Sequence, residues 1–292
     1  MRWLNGVTCT GYNADMMFLQ EVDMRMNIHY LSKLLSSLGF TYKFRPKADG
    51  LNEGLVIAFN SQRFRLLEDT SVYVKDLLSC VNHPENNDVE EWLLSLKPTT
   101  IYRYFVSRQT LLQVLHLECN GEDGGRKKRI IAANIHLPSY SPETESARIA
   151  QCILCVRYLQ SEKERIARSE GEPPLLLFGG DFNSEPQDDI TRMMREGRLQ
   201  KEGGSEYWET GFNTEGSVFE SLTGFPEYTN FTRAGEGRGF NGCLDYIWAF
   251  PTLKVEKVIP LPRQELVARH GALPSKTAPS DHLPIICDVL LE

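Results

Sequence analysis

Gly179-Gly180-Asp181-Phe182-Asn183-Ser184 follows the apolar run Leu175 to Phe178 and delivers an acid and an amide two residues apart. In an extended chain that spacing points both side chains the same way. Asp181 can then take a proton from water, and Asn183 can donate hydrogen bonds to an oxyanion. An Asx turn capping the strand end is the plain structural alternative for this segment. Four other strand ends have the same character. Ser280-Asp281-His282 precedes an apolar run, and acidic neighbours raise the proton affinity of an imidazole, so that cationic His282 can bind a phosphate oxygen. Asn134-Ile135-His136-Leu137 closes a further run with Asn134 and His136 on one side. Glu21 ends the strand in Leu19-Gln20-Glu21-Val22-Asp23, where a buried carboxylate needs a cation or hydrogen bonds. Asp245 opens the strand in Gly242-Cys243-Leu244-Asp245-Tyr246-Ile247. Each segment alone is a weak signal. Five strand termini that share out carboxylates, amides and imidazoles describe a site on the rim of a sheet. The donors are mostly hard oxygens, which suit Mg²⁺ or Mn²⁺ better than zinc.

The ordered set LQEVD, NIHL, GGDFNS, GCLDYI and SDH resembles the endonuclease/exonuclease/phosphatase family of Mg²⁺-dependent phosphoesterases, from about Gly11 to the end of the chain. Gly11-Tyr12-Asn13-Ala14-Asp15, Tyr228-Thr229-Asn230, Val258-Ile259-Pro260-Leu261-Pro262 and Ala272-Leu273-Pro274-Ser275 draw the likeness toward its 2′,5′-phosphodiesterase and deadenylase branch. The resemblance implies an α/β fold, a two-sheet sandwich flanked by helices of the DNase I-like kind, as one catalytic domain over 1–292. It implies that Glu21 ligates Mg²⁺ and that Asp181 orients or deprotonates the attacking water. Asn183 would hold the scissile phosphate, His136 would contact it, and His282 would stabilise the transition state. Asp245 and Asp281 would support the metal and His282. Phe240 has the place of an adenine-stacking aromatic, with Pro142 as the opposite wall; stacking of this kind contributes roughly 1–3 kcal/mol per base. Asn134, Arg148 and Arg238 complete the expected substrate contacts, the two arginines at backbone phosphates.

RNA or oligoadenylate is thus the implied substrate, without a membrane or an obligate protein partner. The resemblance also carries a mitochondrial matrix location, the cytoplasm being the alternative. A phosphoinositide, sphingomyelin or abasic-DNA phosphoester would call for basic or apolar loops that the sequence lacks. A binding protein without turnover is the reading from a different class. The family's first, Asn-bearing strand has no counterpart in Met1 to Thr10, so the chain is expected to be short of that strand.

The elements that must position these groups follow from apolar patterning. Of 292 residues, 41% are apolar and 24% charged, ordinary for a globular chain, which excludes a disordered or fibrous one. The net charge of −7 excludes the basic footprint of a protein that grips long duplex. No stretch reaches the ~20 apolar residues of a transmembrane helix. The N-terminus lacks the pattern of a secretory or transit signal. Seven scattered cysteines read as buried thiols, the Cys152/Cys155 pair included. Strands are predicted over Met16 to Gln20, Tyr42 to Arg45, Leu55 to Phe59, Thr110 to Glu118, Arg129 to His136, Leu175 to Phe178, Leu244 to Phe250, Leu253 to Leu261 and Leu283 to Leu290. Helices are predicted with Ile28, Leu31, Leu34, Leu35 and Leu38 on one face, over Asp88 to Leu96, and over Thr144 to Glu164 with a solvated charged end at Ser161 to Glu172. Asn120 to Gly125 is a turn signal.

Overall fold

The computed structural model describes residues 11–48, 51–78, 82–96, 99–120, 127–201, 205–212, 218–232, 239–269, 271–276 and 278–291. Strand β1 (Met16–Asp23) passes directly into a helical stretch, α1 (Met24–Met26), whose start is capped by Asp23 Oδ1 accepting from the Met26 N–H at 2.9 Å. A π-turn over Asn27–Leu31 then joins α2 (Ser32–Ser37). The π-turn inserts extra rotation and so resets the helical phase. The predicted apolar face is broken as a result. Leu35 is fully buried, Ile28 and Leu38 are 54% and 43% exposed, and Asn27 turns inward.

Next come β2 (Phe40–Pro46), β3 (Glu53–Asn60), β4 (Phe64–Asp69) and β5 (Val72–Tyr73). Helices α3 (Asn87–Ser95) and α4 (Thr100–Ser107) precede β6 (Leu111–Cys119) and β7 (Lys128–His136). The long α5 (Glu145–Glu170) returns to β8 (Leu175–Asp181), and α6 (Asp189–Glu196) follows. The remaining elements are short: β9 (Arg198–Gln200), β10 (Tyr207–Glu209), β11 (Glu220–Ser221), β12 (Asn230–Phe231), β13 (Asn241–Gly242), β14 (Asp245–Phe250), β15 (Lys254–Val258), α7 (Gln264–Ala268) and β16 (Cys287–Leu290).

The larger sheet runs β11-β14-β8-β7-β6-β4, with β5 also on β6; only the β7–β8 pair is parallel. It is covered on both faces. Leu112 and Val114 of β6 and Ile131, Ala133 and Ile135 of β7 pack against Ile149, Ile153 and Val156 of α5. Their alternates Leu115, Leu117, Ile130 and Ala132 pack against Ile57 and Phe59 of β3 and Val255 and Val289 of the β15–β16 pair. Burial on both faces is why these strands read as continuous apolar runs rather than alternating ones. The second layer is the three-stranded sheet β1-β3-β2 together with the β15–β16 pair. Two sheets face to face with helices outside is the architecture that the resemblance implied. Among the described residues β1 pairs with β3 alone; Met1 to Thr10 and the Gly121 to Gly125 part of the predicted turn lie outside them.

The charged end of α5 departs from expectation. The helix continues to Glu170, ended by Gly171 at φ +79°, and Glu162 and Ile166 are buried. Glu162 Oε2 lies 2.9 Å from His116 Nε2 and 2.8 Å from Arg165 Nη2. Burial opposes the Glu162 charge, but the hydrogen bonds from His116 and Arg165 hold its carboxyl down at about 2. The folded value lies below the ordinary 4.5, so this stabilisation is present above pH 4.5 and is lost as the pH falls through about 2. Glu162→Gln is expected to cost on the order of 2 kcal/mol at neutral pH. Urea unfolding should show the gap to the parent closing in acid; a gap of equal size near pH 2 contradicts the assignment.

Cys152, Cys155, Cys243 and Cys287 are free thiols. Burial pushes Cys152 up to about 12 and Cys155 well above the usual thiol range, so neither offers a thiolate. Among the described residues no helix is long and apolar enough to cross a membrane.

Candidate active site

Register brings the polar strand ends together. Asp181 is the last residue of β8; Asp245 stands opposite it on antiparallel β14 and His136 on parallel β7. Two contacts fix the β8 end. The edge-on ring of Phe182 packs 5.0 Å from Phe178 and 5.9 Å from Tyr246, centroid to centroid, inside the helix-side core. At Gly179 the Phe18 ring of β1 comes so close that an added Cβ would meet its Cγ at 2.9 Å. That approach lays the end of β1, with Glu21, beside the end of β8.

The predicted pairing of Asp181 and Asn183 on one extended face is corrected. The strand stops at Asp181, and Asn183 is left-handed at φ +48°. Its backbone N–H donates to Asp181 Oδ1 at 2.8 Å, an Asx turn, and its Nδ2 donates to the Leu137 carbonyl at 2.8 Å. Glu21 is also left-handed, φ +52°, at a register shift in the β1–β3 ladder. Strain of this kind in non-glycine residues concentrates at functional sites.

His282 Nδ1 donates to Asp245 Oδ2 at 2.8 Å, and the Thr229 hydroxyl donates to the same oxygen at 2.5 Å. His282 Nε2 lies 3.7 Å and His136 Nε2 3.6 Å from Asp181 Oδ2. Glu21 Oε1 is 3.9 Å and Lys47 Nζ 3.3 Å from His136 Nδ1, with Lys47 also on Glu53 at 3.1 Å. Burial disfavours a charge on His282, but the Asp245 hydrogen bond and the charges of Asp245, Asp181 and Asp281 outweigh it and raise the imidazole to about 9. Burial, Lys47 and His282 lower His136 to about 3. Near neutrality the rim therefore holds one imidazolium and one neutral imidazole. Burial and the adjacent Asp245 push Asp181 well above the usual carboxylate range, against the pull of His282.

Donor atoms of Asp181, Asp245 and His282 fall within 4.8 Å of one another. This set fits a hard divalent cation. Two carboxylates crowd one another there, and the repulsion that lifts Asp181 is what a cation relieves. His282, cationic through Asp245, is the poorest ligand of the three; Glu21 on the same rim is a better oxygen donor.

Other expected site residues fall elsewhere. Asp281 accepts from Asn230 Nδ2 at 3.4 Å, so its carboxylate faces the β12 strand; the partner of His282 is Asp245. Asn134 is fully buried. It donates to the Leu19 and Val56 carbonyls at 3.0 and 3.1 Å and accepts from Gln20 Nε2 at 2.7 Å. These bonds tie the two sheets together. Arg148 likewise turns inward. Its guanidinium is buried and donates to the carbonyls of Pro138, Phe182 and Asn183, which clamps the two site loops from behind. Pro142 begins an exposed 3-10 turn, Pro142–Thr144. Phe240 is 37% exposed, next to the hairpin of β12 and β13 whose Asn230 bridges to His282. Arg238 lies outside the described residues. Residue types alone missed Lys47 and Thr229. Thr229 sits in Tyr228-Thr229-Asn230, but nothing local marks its hydroxyl, and Lys47 reaches the rim only through sheet packing.

A fold with a carboxylate–imidazole rim of this kind defines a class, and the family model described as the endonuclease/exonuclease/phosphatase family matches residues 8–282. The chain belongs to that family. Among individual proteins it is similar to the 2′,5′-phosphodiesterase 12 of Mus musculus, 32% identical over 289 residues, which cover 96% of this chain and 44% of the relative. It is also similar to the CCR4-Not complex 3′-5′-exoribonuclease subunit Ccr4 of Saccharomyces cerevisiae, 23% identical over 298 residues, 94% of this chain and 33% of that one. A crystal structure of ANGEL2, described as a 2′,3′-cyclic phosphatase, has the same fold, with a TM-score of 0.71 at 19% identity over 98% of this chain and 84% of that one. The chain spans less than half the length of these curated relatives.

Proposed function

We propose that this chain is the catalytic domain of a divalent-metal-dependent phosphodiesterase that trims oligoadenylate, 2′,5′-linked or at a 3′ poly(A) end, to AMP. The observation that carries the reading is the rim itself: Asp181 between cationic His282 and neutral His136, with exposed Phe240 beside the hairpin that bridges to His282. The relatives named a 2′,5′-phosphodiesterase and a 3′-5′-exoribonuclease support the substrate class.

In this reading Asp181 takes the proton of the attacking water. The water oxygen bonds to phosphorus, the bond to the ribose oxygen breaks, and that oxygen takes up a proton from bulk water as it leaves, while Asp181 returns the proton it took to solvent. His282 faces the charge that develops on the phosphoryl oxygens, held there by Asp245 and Thr229. Asn183 keeps one Nδ2 hydrogen for the phosphate, the other being spent on Leu137. Glu21, Asp181 and Asp245 would hold Mg²⁺ or Mn²⁺. Bound there, such an ion supplies Lewis-acid stabilisation of the phosphoryl oxygens and keeps Asp181 in its carboxylate form. Phe240 supplies a stacking wall for the terminal base.

The test is AMP release from 2′,5′- and 3′,5′-oligoadenylate, followed by chromatography with Mg²⁺, then with excess EDTA, then with Mg²⁺ restored. Release is expected to stop with the chelator and to return. Release that persists in EDTA overturns the reading, as does turnover confined to phosphoinositide, sphingomyelin or abasic DNA. Binding of oligoadenylate without turnover supports the binding-protein alternative instead.

A further inference from the structure

Among the described residues beside Phe240, Glu185 carries a carboxylate that the chemistry above leaves unused. A Cβ built at Gly242 would lie 2.7 Å from Glu185 Oε1 and also 2.7 Å from Phe240 Cζ. The carboxylate and the ring edge thus converge on one point of the β12–β13 hairpin. The main chain around Glu185 is pinned. Its N–H donates to Asp188 Oδ2 at 2.8 Å, and the Ser184 carbonyl accepts from the Tyr246 hydroxyl at 2.7 Å. The side chain is half-buried, and its carboxylate accepts no hydrogen bond from any described residue.

We propose that Glu185 reads the base stacked on Phe240, accepting a hydrogen bond from the exocyclic amine of adenine. This rests on the function proposed above, with Phe240 as the stacking wall. A ring face stacks on any base, so Phe240 alone is sequence-tolerant. A carboxylate only accepts. The adenine N6 amine donates to it, whereas the carbonyl oxygens of hypoxanthine, guanine and uracil in that place repel it. Stacking and selection are therefore carried by two different side chains that meet at Gly242.

The experiment compares kcat/KM for oligoadenylate and oligoinosinate of equal length and linkage, which place an amine or a carbonyl at C6. The parent protein is expected to prefer oligoadenylate by about tenfold or more, as befits a hydrogen bond to a charged acceptor. Glu185→Gln should bring the ratio to within about threefold of unity, because the amide can turn either its oxygen or its N–H to the base. Phe240→Leu should lower both substrates together and keep the ratio. A parent ratio near unity, or a ratio that Glu185→Gln leaves unchanged, overturns the assignment while oligoadenylate turnover itself still stands. No turnover of either oligomer overturns the function and this inference with it.

Discussion

Asp181→Asn is expected to lower AMP release by about 10³-fold or more while the protein stays folded, because a positioned general base contributes on the order of 10²–10⁴ and Asp181 also serves the cation site. The substitution is isosteric and leaves the backbone Asx turn with an oxygen at Oδ1 to accept from Asn183 N–H. What it removes is the ability to take a proton and the charge that attracts a cation. The structural cost is small, because a buried carboxylate crowded by Asp245 is itself unfavourable and a neutral amide is easier to bury. Initial rates and thermal melting on the same preparation separate the two effects. A variant that keeps more than about a tenth of the parent rate rules out Asp181 as the base.

Gly180→Ala is expected to be the most destabilising single-methyl change at the site. Gly180 sits at φ +150°, and an added Cβ would lie 2.1 Å from the Ile135 carbonyl oxygen, a backbone atom of the neighbouring strand. Nothing there can swing aside. Backbone strain and overpacking each cost about 1–3 kcal/mol, so a loss of about 3 kcal/mol, or roughly 10 °C in melting temperature, is expected for a chain of this size. Activity should fall further than stability, since Gly180 is bonded to the residue that stands opposite both His136 and Asp245 in register. Gly179→Ala is the matched control. Its Cβ would meet the Phe18 side chain at 2.9 Å, and a ring can shift where a carbonyl cannot. Melting of Gly180→Ala within 2–3 °C of the parent would falsify the close-approach account.

Much of the fold was legible because the signals are local. Apolar runs marked β3, β6, β7 and β8, and the spacing of Ile149, Ile153, Val156 and Leu159 marked α5. The misses have physical causes. The π-turn at Asn27–Leu31 breaks the 3.6-residue phase on which the reading of Ile28 and Leu38 depended. Glu162 looked solvated because its partner His116 lies 46 residues away on β6. Helices α4 and α6 passed unnoticed, being eight residues each with no long apolar period.

The sequence by itself determined which side chains are available and that they cluster at strand ends. Asp181, Asn183, His136, Asp245, His282 and Glu21 are each set by a short string beside an apolar run, and strand ends are local events. Only the tertiary structure decided who faces whom. His282 pairs with Asp245 and not with adjacent Asp281. Asn134 and Arg148 turn inward to lock sheets and loops, Lys47 arrives beside His136, and Glu185 meets Phe240. These pairings depend on strand register and on the distance between two packed sheets. Both are set by burying apolar surface contributed from across the whole chain, so no window of neighbouring residues contains them.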